Sequence, residues 1–197
     1  MRGALTVLFA TLALAVAPAS AAASPDPAAP VKALHAGLVR LSAAADPPAP
    51  AVAELAARSF DMAAITRTVL GSADAQATPA ERARLARALL TLIARQIAAA
   101  GRQTASDGFA VTEVRGASGA DWLVSTRETP TGARQPVALA WRVRREGAGF
   151  RIVDSLQQGL STVGVQHDDF AAALPGHTLD DVIAQIERRA ARPLPRL

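Results

Sequence analysis

Few side chains in this sequence are of the types that carry catalysis or bind metals. The chain has three histidines, His35, His167 and His177, and no cysteine. No two histidines have the short spacing of a zinc-binding pair. No serine stands in a Gly-x-Ser-x-Gly turn, and the glycines form no phosphate-binding loop. The sequence therefore predicts no metal site, no catalytic residue and no cofactor.

Asp154 is the carboxylate that the strand pattern singles out. If its strand alternates regularly, Asp154 lies with Phe150 and Ile152 on the apolar face, where an ionised group must find hydrogen-bond donors. One interpretation is a general base in a pocket. We favour a structural acceptor, which binds free backbone N–H groups near residues 158–161 at the strand end. A bulge would move Asp154 to the other face.

His167 lies four residues after Val163 and three before Phe170, on the inner stripe of a predicted helix. A single histidine there is either a hydrogen-bonded core residue or a ligand-binding group, and we favour the core residue. The neighbouring Asp168 and Asp169 are expected to be solvated.

The stretch from Gln135 to Ser161 is expected to form the centre of the fold. Apolar residues alternate with alanine or arginine, as in a half-buried strand; they are Val137, Leu139, Trp141 and Val143. Residues 146–149 predict a turn, after which the extended pattern resumes. The simplest antiparallel register pairs Val143 with Phe150, Trp141 with Ile152 and Leu139 with Asp154.

Helix signals lie on both sides of this hairpin. Apolar residues at helical spacing predict helices over 31–45, from Pro50 to Phe60 and from Met62 to Val69. The stretch 78–81, Thr-Pro-Ala-Glu, predicts a capping box that opens a long helix to about Ala100. After the strands, Ser161 and the pair Thr178 and Asp181 are expected to cap two more helices, the first of which follows a break in the sheet at residues 159–161.

Two further extended runs begin at Phe109 and precede the hairpin. The predicted order is four helices, four strands and two helices. We therefore expect an α+β domain, in which a four-stranded antiparallel curved sheet is covered by the N-terminal and C-terminal helices.

The long helix carries Arg84, Arg87 and Arg95 opposite its apolar stripe. This basic ridge either docks an acidic partner or is simply solvated, and we favour the second interpretation. The net charge of +4 comes without a concentrated basic run, so we expect no nucleic-acid binding.

The chain begins with features of a secretory signal peptide. An apolar run follows Met1 and Arg2 and ends in Pro18 and small residues. It is shorter than a transmembrane span needs. We predict a cleaved signal peptide over 1–23, a Pro/Ala linker over 24–30 with no reason to fold, a single domain over 31–191 and a tail over 192–197. The mature protein is expected in the periplasm, as a monomer.

The predicted helices are rich in alanine. Alanine fills less volume against a twisted sheet than leucine or phenylalanine does. A cavity between the helices and the sheet is therefore expected, although high-GC codon usage would also enrich alanine.

Several short motifs, taken in order, resemble one protein family. They are Phe60-Asp61-Met62, Val69-Leu70-Gly71, Thr78-Pro79-Ala80-Glu81-Arg82, Trp141-Arg142-Val143, Phe150-Arg151-Ile152-Val153-Asp154, Gly159-Leu160-Ser161 and Asp169-Phe170. In their order and spacing they resemble the MlaC/toluene-tolerance family of periplasmic phospholipid-binding proteins, which includes a hopanoid-associated branch. The resemblance spans residues 31–189.

This resemblance implies a non-enzymatic lipid shuttle. Acyl chains would enter a cavity between sheet and helices, and the head group would stay near solvent. The implied partners are a phospholipid or related lipid, an inner-membrane ABC-transporter complex with MCE domains and an outer-membrane lipoprotein complex.

We expect apolar side chains from both layers to contact the lipid. They are Phe60, Ile65, Val69, Leu89, Ile93, Ile97, Val124, Val137, Leu139, Trp141, Phe150, Ile152, Leu160, Val163 and Phe170. Two other functions stay open, namely a small cone-shaped α+β enzyme with Asp154 as general base and a periplasmic adaptor with a filled core.

Overall fold

The computed structural model describes residues 25–43, 49–101, 108–129, 132 and 135–192. The predicted signal peptide over 1–23 and most of the predicted tail lie outside these ranges. The helices that precede the sheet are α1 (Ala29–Ser42), α2 (Ala49–Ser59), α3 (Met62–Leu70) and α4 (Pro79–Gly101), with a short 3-10 turn over Gly71–Ala75 between α3 and α4. Within the described ranges, no helix has the length and apolarity that a membrane span requires.

The sheet and the last two helices follow α4. The strands are β1 (Phe109–Gly116), β2 (Asp121–Glu128), β3 (Val137–Glu146), β4 (Gly149–Gln157) and β5 (Leu160–Ser161), and the helices are α5 (Thr162–Ala173) and α6 (Leu179–Ala191). The strands form one antiparallel meander in the order β1-β2-β3-β4-β5. The predicted α+β class is confirmed.

The sheet has five strands, and the prediction of four was wrong. Gln158 and Gly159 both have positive φ, 52° and 81°, as a tight two-residue hairpin turn requires. The chain therefore returns along β4, and Leu160 pairs with Gln157. The segment that we expected to break the sheet extends it by one short strand.

The predicted register of the β3–β4 hairpin was also wrong. Val143 pairs with Ile152, Arg145 with Phe150 and Trp141 with Ser155. One reason is that the turn is tighter than expected, with Glu146 paired to Gly149 and Gly147 at φ 56°. The other reason is a bulge, because Arg142 pairs with Asp154 while the next residue, Val143, pairs with Ile152. The bulge leaves Val153 without a partner on β3.

The bulge changes the position of Asp154. Asp154 pairs with Arg142 and no longer has the parity of Ile152, yet it is only 4% exposed. Its carboxylate accepts hydrogen bonds from Ser161 Oγ at 2.6 Å and from the backbone N–H of Val163 at 3.0 Å. Ser161 Oγ also accepts from the N–H of Gly164 and so caps α5. Asp154 therefore joins the bulged strand to the start of α5.

The helix starts follow the predicted caps. Thr78 and Glu81 exchange side chain to backbone hydrogen bonds at the start of α4, and Thr178 and Asp181 do the same at α6. Asp61 accepts from the N–H of Ala64 at the start of α3. These local bonds satisfy donors that have no partner within the helix.

Helix α1 begins at Ala29, inside the segment predicted to be an unstructured linker. Asp26 accepts hydrogen bonds from the N–H of Ala28 and from Lys32 Nζ, and Ala28 is 1% exposed. The described part of this segment is therefore folded onto the domain. At its other end α1 stops at Ser42, before the predicted end at residue 45, and residues 44–48 lie outside the described ranges.

Two of the three arginines of the predicted ridge on α4, Arg84 and Arg95, bind α6, and the third, Arg87, is exposed. Arg84 forms ion pairs with Glu187 and Asp180, and Arg95 donates to the carbonyl oxygens of Arg189 and Ala190 at the end of α6. The hydrogen bonds that Arg84 donates to Glu187 and Asp180 raise the pKa of its guanidinium. Neither of our interpretations, partner docking or solvation, describes these two side chains, which connect one helix to the next.

Asp154 provides a test of the junction between β4 and α5. Asp154→Asn keeps one acceptor oxygen and should lower the free energy of unfolding by about 1–2 kcal/mol. Asp154→Ala leaves the Val163 N–H and the Ser161 hydroxyl without this acceptor and should cost more. Urea denaturation measures both. Asp168→Asn, at a solvent-exposed position on α5, is the control and should stay within about 0.5 kcal/mol of the parent. Equal stabilities of Asp154→Asn and Asp168→Asn would contradict the acceptor role.

Candidate functional site

A cavity of about 510 Å³ lies between the inner face of the sheet and the helices. Small-molecule sites in proteins typically measure about 300–1,000 Å³. Predicted lipid contacts that line the cavity are Phe60, Ile65, Ile93, Ile97, Val137, Leu139, Trp141 and Val163. Lining residues that the sequence analysis did not predict as lipid contacts are Val31, Leu34, His35, Leu38, Gln96, Phe109, Glu128, Ser155, Gln157 and Thr162.

Strand β3 supplies one wall of the cavity. Its alternation turns Val137, Leu139 and Trp141 toward the helices. The indole Nε1 of Trp141 donates to Thr126 Oγ1 on β2 at 3.0 Å, which satisfies the one polar group of this side chain. The bond fixes the orientation of the indole ring and leaves its apolar surface to line the cavity.

Helices α1 and α4 supply the opposite wall. Leu34 and Leu38 are one helical turn apart on α1, and Ile93 and Ile97 are one turn apart on α4. At Gly37 an added Cβ would lie 2.5 Å from Leu55 Cδ1 of α2. A side chain at position 37 would have to displace Leu55, so Gly37 permits the close packing of α1 on α2.

The burial of the lining residues shows where the cavity opens. Phe60 and Ile65 are 6% and 2% exposed and form its deep end. Val137 is 36% exposed, and Gln96 and Gln157 are also exposed. The mouth therefore lies where β3 begins and β4 ends, beside the second half of α4.

The remaining predicted lipid contacts lie outside the lining. Val69, Leu89, Val124, Ile152 and Phe170 are buried in the core. Phe150 packs edge-on against Trp122 near the β3–β4 turn, with Arg145 over its ring. Leu160, on β5, is 65% exposed. The observed register places Ser155 and Gln157 beside the cavity, opposite Trp141 and Leu139, where our register expected Ile152 and Asp154.

The sequence analysis did not predict the polar pair at the mouth, which consists of His35 and Glu128. The ring of His35, on α1, stacks on Phe109 of β1 with centroids 4.1 Å apart. His35 Nδ1 lies 3.9 Å from Glu128 Oε1, and Phe109 and Glu128 are paired on adjacent strands. The available signal was the position of His35 beside Leu34 and three residues before Leu38, on the edge of the apolar stripe of α1.

Burial sets the charge of His35. It lowers the pKa of the imidazole, against the opposing effect of the Glu128 carboxylate. The imidazole is therefore neutral at neutral pH. Among the described lining residues, Glu128 is the one with a carboxylate side chain.

Asp154 and His167 do not line the cavity. The Asp154 carboxylate binds Ser161 and Val163, as described above. Nδ1 of His167 lies 3.2 Å from the carbonyl oxygen of Val69 and donates to it, so it joins α5 to α3. No group of three or more potential metal ligands occurs among the described residues. The cavity thus combines apolar walls with a polar mouth, an arrangement suited to binding an amphipathic molecule.

Comparison with known proteins agrees with this geometry. The family model for the MlaC protein matches residues 42–188. A solved structure of a phospholipid-binding protein from Ralstonia solanacearum, in complex with a phospholipid, superposes with a TM-score of 0.67 at 21% sequence identity. The match covers 83% of this chain and 93% of that one.

No curated protein matched the sequence. At 21% identity the solved structure supports the fold alone. The family model, however, spans most of the chain and includes α2 through most of α6. The chain belongs to the MlaC family.

Proposed function

We propose that this protein is a periplasmic lipid carrier that holds the acyl chains of a phospholipid, or the apolar body of a hopanoid-type lipid, in the cavity between sheet and helices. The observation that carries the proposal is the cavity itself, with apolar walls that include Ile93, Leu139 and Trp141.

The energetics suit a carrier without a catalytic residue. Each CH₂ group removed from water contributes roughly 0.8 kcal/mol, so an apolar cavity of about 510 Å³ can compete with a membrane for part of an acyl chain. The polar mouth leaves the head group near solvent. Binding and release then need only an encounter with a membrane or a partner complex.

Membership of the MlaC family and the phospholipid-bound relative favour a binding or transport protein over an enzyme. The position of Asp154 also argues against the enzyme that the sequence left open. Its carboxylate is hydrogen-bonded at the β4–α5 junction and outside the cavity lining. The cavity likewise argues against an adaptor with a filled core.

The proposed route follows from the export signal and the family. The N-terminal apolar run predicts delivery to the periplasm. We propose that the protein receives and delivers lipid at an inner-membrane ABC-transporter complex with MCE domains and at an outer-membrane lipoprotein complex. A monomer with one cavity is sufficient for such a shuttle, and nucleic acid has no part in it.

Uptake from vesicles tests the proposed function. Delipidated protein, incubated with vesicles that contain a fluorescent phospholipid and then separated from them, should retain the label. Organic extraction of protein purified from its host identifies the bound lipid, whether it is a phospholipid or a hopanoid-type lipid. Protein that acquires no lipid from any vesicle composition, and yields none on extraction from its host, would contradict the carrier proposal.

Filling the cavity should block uptake without unfolding the protein. Ile93→Trp or Leu139→Trp puts ring atoms into space that an acyl chain would occupy. In a close-packed core such a change costs about 1–3 kcal/mol, but the cavity should accept it. The thermal midpoint of delipidated protein should stay level or rise, while lipid uptake falls severalfold.

Ala138→Trp is the matched control for this experiment. Ala138 is exposed and adjoins Leu139 on the opposite face of β3, so its replacement should leave uptake unchanged. A steep loss of stability in both cavity variants would show that Ile93 and Leu139 face a filled core.

A further inference from the structure

We propose that Glu128 and His35 form a head-group site at the cavity mouth, which selects lipids with an ammonium group over lipids with an anionic head group. This inference rests on the proposed lipid-carrier function and adds the class of head group to it.

The two side chains lie at the exposed end of the cavity. Glu128 is the last residue of β2, and its partners Phe109 and Val137 are the first residues of β1 and β3. All three residues line the cavity at its exposed end. A lipid with its chains in the deep end would therefore place its head group beside Glu128.

The site is held in place before a ligand binds. The side chains of His35 and Glu128 are only 12% and 23% exposed. The stack on Phe109, with ring planes 13° apart, fixes the imidazole. The strand pairing of Glu128 with Phe109 and Val137 fixes the backbone from which its carboxylate extends. A preorganised polar group loses less entropy when it binds its ligand.

The two side chains differ in charge. His35 lies 3.9 Å from Glu128, which is too far for a hydrogen bond, and its buried imidazole is neutral at neutral pH. Among the described residues, no other basic side chain lies within ion-pair distance of the Glu128 carboxylate. The mouth therefore presents a negative charge that this histidine does not neutralise.

A partly buried carboxylate discriminates between head groups by charge. An ammonium group at the mouth forms a charge-assisted hydrogen bond with it. A head group with a net negative charge is repelled, and reduced exposure to water strengthens the repulsion. Phosphatidylethanolamine has the ammonium group that the site requires, whereas phosphatidylglycerol brings a net negative charge toward the Glu128 carboxylate.

Competition between two lipids with the same acyl chains tests the proposal. Delipidated protein is incubated with vesicles that contain equal amounts of phosphatidylethanolamine and phosphatidylglycerol. The bound lipids are then extracted and quantified by mass spectrometry. Since exposed ion pairs contribute up to about 1 kcal/mol, an enrichment of about fivefold in ethanolamine lipid is expected. Glu128→Gln should abolish the enrichment, and Glu128→Lys should reverse it.

Glu113→Gln is the control, because Glu113 is an exposed glutamate on the neighbouring strand β1 and does not line the cavity. It should keep the enrichment of the parent. The head-group site would be overturned, and the carrier function left intact, by either of two results. In the first, the parent binds the two lipids in the ratio present in the vesicles. In the second, the parent and Glu128→Lys bind them in the same ratio. Failure of the parent to bind either lipid would overturn both.

Discussion

The apolar face of strand β3 has to be covered, and the helices that cover it leave part of the space empty. At one end of the strand Val143 is completely buried against Ile152. Toward the other end Trp141, Leu139 and Val137 face the cavity, and Val137 is 36% exposed. One strand thus belongs to the core in its second half and to the cavity wall in its first half.

The contacts that keep this arrangement open lie at its edges. Gly37 permits α1 to pack closely on Leu55 of α2. Arg84 and Arg95 join α4 to α6 through ion pairs and backbone carbonyls, and Asp154 ties the bulge of β4 to the start of α5. Because the helices are anchored to one another and to the sheet edge, they need not collapse onto the inner face of the sheet. The cavity is therefore a consequence of the positions at which the helices are anchored to one another and to the sheet edge.

Features with a local cause could be predicted from the sequence. The caps at Thr78, Ser161 and Thr178 are formed by residues within three positions of one another, and the inward face of β3 follows from strict alternation. Register was not predictable in this way. It depends on the length of the turn at Gly147 and on the bulge at Val153, and tertiary packing sets both.

The mouth of the cavity shows the same limit more strongly. His35, Phe109 and Glu128 come from α1, β1 and β2, and nothing in the sequence near any one of them indicates the other two. Phe150 and Leu160 were also predicted as lipid contacts. The observed register places Phe150 at the far end of the hairpin, and the fifth strand places Leu160 at the surface. A polar site built from three distant segments becomes visible only in the folded chain.

The proposed carrier holds a lipid between sheet and helices in the living cell. Native mass spectrometry of the intact protein, purified without detergent from its own host, tests it most directly. We expect discrete complexes that are heavier than the bare chain by the mass of one lipid and that dissociate to the bare chain on collisional activation. A spectrum that contains only the bare chain, from cells in which the protein is exported and folded, would contradict it.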